Sequence, residues 1–270
     1  MANNSSLSKR AALRQQQELD ERNKRNKRIL TAGIGLLAVI ALVVVAIVVT
    51  QAISRRTTVT EAQQTPPNAT ENYGILINGK APQEGVPHVV IWEDFQCPGC
   101  KARELQYGPI QEKLVDDGKI TLEIRAAHFL DGQGVTGGDS HKAAMAAAAA
   151  DAVGKFREYH AVVYQNSTEG RGAFPDNKLR DEFAKLAGIE GDDLKKFQEL
   201  YQTRAFFDWT DNANTKFGVD QIPSTPTYLV SGQRLEFYDE ATQAVLIEPT
   251  EESMMAAINE AFEAGGKKHD

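Results

Sequence analysis

Residues 29–53 form an uninterrupted run of 25 residues without a charged side chain, and this run limits the possible folds more than any other feature. At about 1.5 Å per residue, a helix of this length would reach about 37 Å and exceed the roughly 30 Å hydrocarbon core of a bilayer. A buried core helix would usually keep a polar stripe, and a cleaved signal has a shorter apolar core. We therefore expect one transmembrane helix at residues 29–53.

The charges that flank this run predict its orientation. Only Arg55 and Arg56 follow the run closely, whereas a basic cluster precedes it and comprises Arg22, Lys24, Arg25, Lys27 and Arg28. Because cytoplasmic flanks collect Lys and Arg, we expect residues 1–28 to form a cytoplasmic tail and the remainder to be extracytoplasmic. Residues 54–72 are polar, contain a Pro-Pro pair and have the composition of a linker. The prediction is a single-pass protein of the cell membrane.

The distribution of charge argues against a nucleic-acid partner. Residues 1–28 carry a formal charge of +5, and the total of −7 leaves −12 for residues 29–270. A domain with this balance repels phosphate.

From residue 73 onward the pattern predicts an α/β domain. Residues 86–92 are dense in β-branched and aromatic side chains, which is typical of a strand buried on both faces. Residues 101–115 predict a helix, and residues 119–128 alternate as a second strand. A strand, a helix and a strand in this order predict a parallel crossover unit.

The rest of the domain is predicted to be mostly helical. Residues at about 138–217 show only helical patterns, which indicates an inserted helical region with one long alanine-rich helix at residues 141–165. Its alanines indicate close contacts between helices. A strand at residues 227–230, a hairpin partner at 234–238 and a last helix from about Thr250 to Gly265 follow.

The chain has two cysteines, Cys97 and Cys100, and they lie at the predicted turn between the first strand and its helix. Zinc needs three or four protein ligands, and the scattered histidines do not supply the usual paired spacing. A structural disulfide across so short a loop would remove little entropy from the unfolded chain. A redox-active pair is the favoured hypothesis, with the metal site and the structural disulfide as alternatives.

The predicted position of Cys97 explains how such a pair would react. At the first turn of a helix, unpaired backbone N–H groups and the helix dipole stabilise a thiolate. We expect Cys97 to be the acidic, exposed nucleophile and Cys100, one turn further along, to be the more buried resolving thiol. Pro98 suits an early helix position, where its missing N–H costs nothing. A thiolate stabilised in the reduced form favours the donation of disulfides.

Together, the segment Phe95-Gln96-Cys97-Pro98-Gly99-Cys100, the helical insertion and the segment Thr225-Pro226-Thr227 resemble DsbA-type thiol-disulfide oxidoreductases of the thioredoxin superfamily, in their membrane-anchored bacterial form. The resemblance covers residues 73–265. It implies a thioredoxin-like α/β fold with a helical insertion after one transmembrane helix. It also implies that Pro226 is a cis-proline and that Thr225 offers its backbone to an extended substrate chain.

Two positions depart from the pattern of the best-known relatives. Gly99 stands where those relatives have a histidine, so Cys97 is expected to be less acidic and the protein a milder oxidant. Ile91 stands where many relatives carry an acid six residues before the first cysteine. Glu93 faces the same side of the strand as Ile91 and could serve as a buried proton acceptor for Cys100. The alternative is that Glu93 lies at the strand end near water.

These features predict an enzyme that oxidises the thiols of newly exported, unfolded proteins through Cys97 and Cys100 without a cofactor. The resemblance implies a membrane partner of the DsbB or vitamin-K-epoxide-reductase type that reoxidises the pair. An extracytoplasmic reductase or isomerase is one alternative. A redox-inert, chaperone-like binding module is another.

Overall fold

A mixed sheet of five strands lies at the centre of the computed structural model, which describes residues 59–132, 135, 137–168, 174–239 and 241–269. The strands are β1 (Ile75–Leu76), β2 (His88–Glu93), β3 (Thr121–Ala126), β4 (Thr227–Val230) and β5 (Gln233–Arg234). Their order across the sheet is β1-β3-β2-β4-β5. The β2 and β3 strands are parallel, and every other neighbouring pair in this sheet is antiparallel.

Seven α-helices accompany the sheet in the described part of the chain. They are α1 (Pro98–Asp116), α2 (Asp139–Asp151), α3 (Phe156–Asn166), α4 (Ala184–Leu186), α5 (Gly191–Gln202), α6 (Phe207–Val219) and α7 (Glu251–Ala264). A π-helical stretch, Lys178–Phe183, leads directly into α4, and two 3₁₀ turns occupy Ile77–Gly79 and Phe129–Asp131.

The transmembrane prediction concerns residues that the structure does not describe. Both the cytoplasmic tail expected at residues 1–28 and the helix expected at 29–53 lie outside the described residues. Among the helices that are described, none has both the length and the apolar character needed to cross a bilayer.

The predicted crossover unit is confirmed. Helix α1 connects the parallel strands β2 and β3, which pair from His88 opposite Thr121 to Glu93 opposite Ala126. All six residues of β2 are buried, because this strand lies between two others and both of its faces are covered. The strand ends at Glu93, four residues before Cys97.

Helices α2 to α6 form the insertion between β3 and β4, as predicted. The prediction of one alanine-rich helix at residues 141–165 is wrong, because two helices, α2 and α3, cover this range. The chain breaks between α2 and α3, where Gly154 adopts a φ of +68° that other residues rarely accept. The alanines at residues 143–150 are all buried, and α2 packs against α3, α5 and α6. Their small side chains explain how one helix can contact three others.

Part of the predicted linker belongs to the domain, so this boundary was wrong. The N–H of Thr60 donates to the carbonyl of Thr203 at 3.0 Å, and the Asn68 side chain donates to Asp151 at 2.8 Å. Residues 60–70 therefore form backbone and side-chain hydrogen bonds with the helical insertion.

The end of the domain was predicted in part. Strand β5 is shorter than the expected hairpin partner, since the carbonyl of Phe237 accepts from the N–H of Leu246 instead of pairing with β4. Leu235 and Phe237 are both buried. Helix α7 follows the prediction: Thr250 caps it by accepting a hydrogen bond from the N–H of Ser253 at 3.2 Å. The helix ends at Gly265, where a Cβ would overlap the backbone of Ser231.

Candidate active site

Cys97 is the N-cap of α1, and its sulfur contacts two backbone polar groups. Sγ accepts a hydrogen bond from the N–H of Cys100 at 3.4 Å and lies 3.3 Å from the carbonyl oxygen of Thr225. Pro98 occupies the first turn, as predicted. The two cysteines are not bonded to each other, so the structure shows the dithiol form.

This setting lowers the pKa of Cys97 to about 5. The hydrogen bond from the Cys100 side chain lowers this pKa most, burial opposes it, and the Thr225 side chain and the N–H groups of Cys100 and Gly99 lower it further. The predicted acidity is therefore present in the structure. The predicted exposure is not: Cys97 is only 8% exposed, because Thr225 lies against its sulfur.

Cys100 has the opposite character, as predicted. It is 3% exposed, and burial raises its pKa far above the ordinary value for a thiol. The hydrogen bond to Cys97 and the charges of Cys97 and Glu93 raise this pKa further. Cys100 therefore needs a proton acceptor whenever it reacts as a nucleophile, and a proton donor whenever it leaves as a thiol.

Thr225 and Pro226 immediately precede β4, the neighbour of β2, and lie against the cysteine motif. The peptide bond between them is cis, as the resemblance implies. A Cβ at Gly99 would lie 3.4 Å from Cδ of Pro226 and 3.7 Å from Sγ of Cys97, so position 99 faces both groups. The Thr225 backbone is thus immediately beside the reactive sulfur.

Glu93 is buried, so the alternative that places it near water is wrong. It ends β2 with only 3% exposure, and its Oε1 lies 2.7 Å from Nε2 of His160 on α3. Burial raises the pKa of Glu93, against the opposing effect of His160. The carboxyl group is therefore adapted to exchange a proton with a neighbour.

Asp94 is also buried and fastens the turn that precedes Cys97. Its carboxylate accepts hydrogen bonds from the Ser140 hydroxyl at 2.5 Å, from the Gln96 N–H at 2.9 Å and from the Leu130 N–H at 3.1 Å. Burial raises the pKa of Asp94 to about 6. These contacts attach the active-site turn to the start of the helical insertion.

His160 and Glu104 were not identified as site residues from the sequence. Nδ1 of His160 lies 3.6 Å from Oε1 of Glu104 on α1, so the histidine stands between two carboxylates. Glu104 follows Cys100 by one helical turn, and this spacing is the one signal in the sequence that could have associated it with the site. His160 comes from a distant helix and carries no such signal.

One cluster in the described residues has the composition of a metal site, namely His128, His141 and Asp211, with ligand atoms within 4.8 Å of one another. The two imidazoles are stacked at 4.0 Å with an interplanar angle of 5°. A single ion cannot lie in both ring planes when these planes are parallel and separated. Both nitrogens of His141 already have partners, the N–H of Gly137 and the hydroxyl of Thr210. The cluster therefore does not fit a shared ion.

A central strand that leads to a helix-capping cysteine pair, with a cis-proline beside it, defines a thioredoxin-like fold with a dithiol site. A family model described as thioredoxin matches residues 78–248, and the chain belongs to this family. No curated protein matches the sequence.

Solved structures show the same fold. The MdbA protein from Actinomyces oris, a thiol-disulfide oxidoreductase, is 15% identical with a TM-score of 0.58, and the match covers 77% of this chain and 98% of that chain. The MdbA protein from Corynebacterium diphtheriae, also a thiol-disulfide oxidoreductase, is 22% identical with a TM-score of 0.53, and the match covers 65% and 91%. At these identities the likeness shows the fold.

Proposed function

We propose that the chain is a thiol-disulfide oxidoreductase that donates disulfides to other proteins. The observation that carries this proposal is the contrast between its two sulfurs: the pKa of Cys97 is lowered to about 5, whereas burial raises that of Cys100. A thiolate that is stable in the reduced form makes the disulfide more oxidising. The same stability makes Cys97 a good leaving group.

The reaction starts from a disulfide between Cys97 and Cys100. A substrate thiolate attacks Sγ of Cys97, the bond between the two enzyme sulfurs breaks, and Cys100 leaves with the electron pair and takes up a proton. A second substrate thiolate then attacks the substrate sulfur of the mixed disulfide, and Cys97 leaves as a thiolate. The substrate loses two electrons and gains a disulfide, while the enzyme gains two electrons and becomes a dithiol.

The Thr225 backbone is the proposed contact for the substrate chain. The carbonyl of Thr225 lies 3.3 Å from Sγ of Cys97, so a chain aligned along this residue would bring its own sulfur to the nucleophile. An extended, unfolded segment exposes the backbone groups that such pairing needs. This arrangement supports a substrate class of unfolded proteins with free thiols.

We further propose that residues 29–53 anchor the protein in the cell membrane and hold the domain on its extracytoplasmic side. The uncharged run and its basic N-terminal flank support this location. Disulfides persist in such oxidising compartments, where exported proteins would supply the substrate thiols for protein folding. Reoxidation of Cys97 and Cys100 would then require a membrane partner of the DsbB or vitamin-K-epoxide-reductase type.

Oxidative refolding tests the proposed activity. The full chain in detergent, oxidised beforehand, is mixed with a reduced protein that needs disulfides to fold, and recovery is compared with that of a Cys97→Ser variant. We expect recovery with the wild-type chain and none above background with the variant. Equal recovery with both would indicate a redox-inert binding module. Activity only toward a scrambled, already oxidised substrate would indicate an isomerase or reductase.

Site-directed labelling tests the proposed location. Ser5→Cys and Glu84→Cys are introduced separately into a chain whose native cysteines are replaced by serine, and intact cells are treated with an impermeant maleimide. We expect labelling at position 84, which is exposed in the structure, and protection at position 5 until the cells are lysed. Labelling of neither position in intact cells would contradict the proposed location.

A further inference from the structure

Three ionisable side chains lead from the neighbourhood of Cys100 toward the surface. Glu93 is close enough to Cys100 for its charge to raise the pKa of that thiol. Oε1 of Glu93 lies 2.7 Å from Nε2 of His160, and Nδ1 of His160 lies 3.6 Å from Oε1 of Glu104. The side chains of Glu93, His160 and Glu104 are 4%, 5% and 14% exposed, so accessibility to solvent increases at the Glu104 end.

Aromatic rings enclose the middle of this series. The ring centroids of Phe95, Phe156 and Tyr164 lie 5.8, 5.7 and 5.1 Å from that of His160. These rings limit the access of water to His160. A proton can therefore reach or leave Glu93 through its hydrogen bond with the His160 imidazole. Imidazole suits this task because one ring nitrogen can accept a proton while the other releases one.

Gly108 makes room for the outer member of the series. A Cβ at this position would overlap the Glu104 carboxylate, which lies back along α1. Glycine in the middle of a helix costs about 1 kcal/mol relative to alanine, so the helix gives up stability at the position where the carboxylate lies. Gly108 therefore allows Glu104 to stay beside His160.

We propose that His160 and Glu104 complete a proton relay that connects Cys100, through Glu93, with solvent. This inference rests on the proposed thiol-disulfide chemistry. When Cys100 leaves the enzyme disulfide, it takes one proton from the Glu93–His160 pair, and the pair regains one proton from solvent through Glu104. When Cys100 attacks a mixed disulfide at Cys97, its proton travels the same route outward.

The groups that face His160 are consistent with a proton held at this place. They are Glu93 from β2, Glu104 from α1 and Tyr164 from its own helix. Cys100 interacts electrostatically with Glu93 and Tyr164, and Tyr228 from β4 interacts with both carboxylates. Burial alone would lower the pKa of His160, but the charges of Glu93 and Glu104 and the hydrogen bond with Glu93 outweigh it and raise this pKa well above its usual value. The coupled Glu93–His160 pair therefore carries a proton at neutral pH.

Stopped-flow reaction of the reduced full chain with 5,5′-dithiobis(2-nitrobenzoate) separates the two cysteines. The first release of thionitrobenzoate reports the attack of Cys97, and the second reports the attack of Cys100 on the resulting mixed disulfide. For His160→Gln we expect a second phase at least about tenfold slower at pH 7, because positioned proton transfer contributes roughly 10²–10⁴-fold to such steps. The second phase should also become proportional to hydroxide between pH 6 and 8, while the first phase stays within about twofold of wild type.

Two further variants and a matched control complete the test. Glu104→Gln and Gly108→Ala should each slow the second phase about threefold, and Gly108→Ala does so without removing an ionisable group. The control is His88→Gln, because His88 is another buried histidine on a glutamate, with Nε2 3.1 Å from Oε2 of Glu123. It should leave both phases unchanged.

The possible failures of the two proposals differ in this assay. A His160→Gln variant with the wild-type pH profile, or a control variant that slows equally, would overturn the relay. If His160→Gln does not fold, an unchanged second phase in both Glu104→Gln and Gly108→Ala overturns it instead. A first phase in the wild-type chain no faster than that of a free thiol would overturn the proposed function.

Discussion

Lowering the pH should destabilise the reduced chain through Cys97. The pKa of this thiol is about 5 in the folded chain, against about 8.5 for an unperturbed cysteine. Because the folded pKa is the lower one, the stabilisation is complete above about pH 8.5 and is lost as the pH falls through 5. At about 1.36 kcal/mol per pH unit, the contribution is about 3 kcal/mol at pH 7 and falls by about 2 kcal/mol at pH 5.

Urea unfolding of the reduced full chain at pH 5, 6 and 7 measures this effect. Cys97→Ser is the necessary control because burial also raises the pKa of Asp94 to about 6, and its titration falls in the same interval. The difference between the two chains cancels that contribution. We expect the wild-type chain to lose about 2 kcal/mol relative to the variant between pH 7 and pH 5. Parallel pH profiles for the two chains would refute the thiolate argument.

Three substitutions test other parts of the structure. Gly99→His should lower the pKa of Cys97 further, because it places a cationic donor at a position that faces the sulfur. The pKa is measured by thiolate absorbance near 240 nm, and an unchanged titration midpoint would contradict this expectation. Gly265→Ala should cost about 1–3 kcal/mol in urea unfolding, since its Cβ would overlap Ser231, and a neutral result would contradict this contact. Ala147→Leu should lower the free energy of unfolding by about as much, because Ala147 is 2% exposed within the helix contacts. An unchanged free energy of unfolding would contradict close packing at this position.

The parts of the site that follow from neighbouring residues were predictable from the sequence. A strand that is buried on both faces, a turn with Cys97 and a helix with Pro98 in its first turn form one continuous segment, so local rules place the nucleophile at the helix terminus. The opposite pKa shifts of Cys97 and Cys100 follow from that geometry. The position of Pro226 beside them came from the resemblance to a family.

The parts that depend on distant residues were not predictable. Glu93 meets a histidine that is 67 residues away in the sequence, and periodicity cannot show which helix covers the end of a strand. The low exposure of Cys97 depends on Thr225, which is 128 residues away. The break after α2 carried a local signal in Gly154, but the alanine run before it and the helical pattern of residues 156–165 after it concealed this signal.

The reduction potential of the Cys97–Cys100 pair tests the central claim most directly. The full chain in detergent is equilibrated with glutathione buffers of known poise, and the dithiol fraction is measured by alkylation and mass spectrometry. Relative to an unperturbed thiol, the thiolate contribution of about 3 kcal/mol at pH 7 corresponds to about 60 mV in the oxidising direction. Cys97, with a pKa of about 5, is also more acidic than the thioredoxin thiol, whose pKa is about 7, so we expect a potential above the roughly −270 mV of thioredoxin. A value at or below about −270 mV would contradict the proposed role as a donor of disulfides.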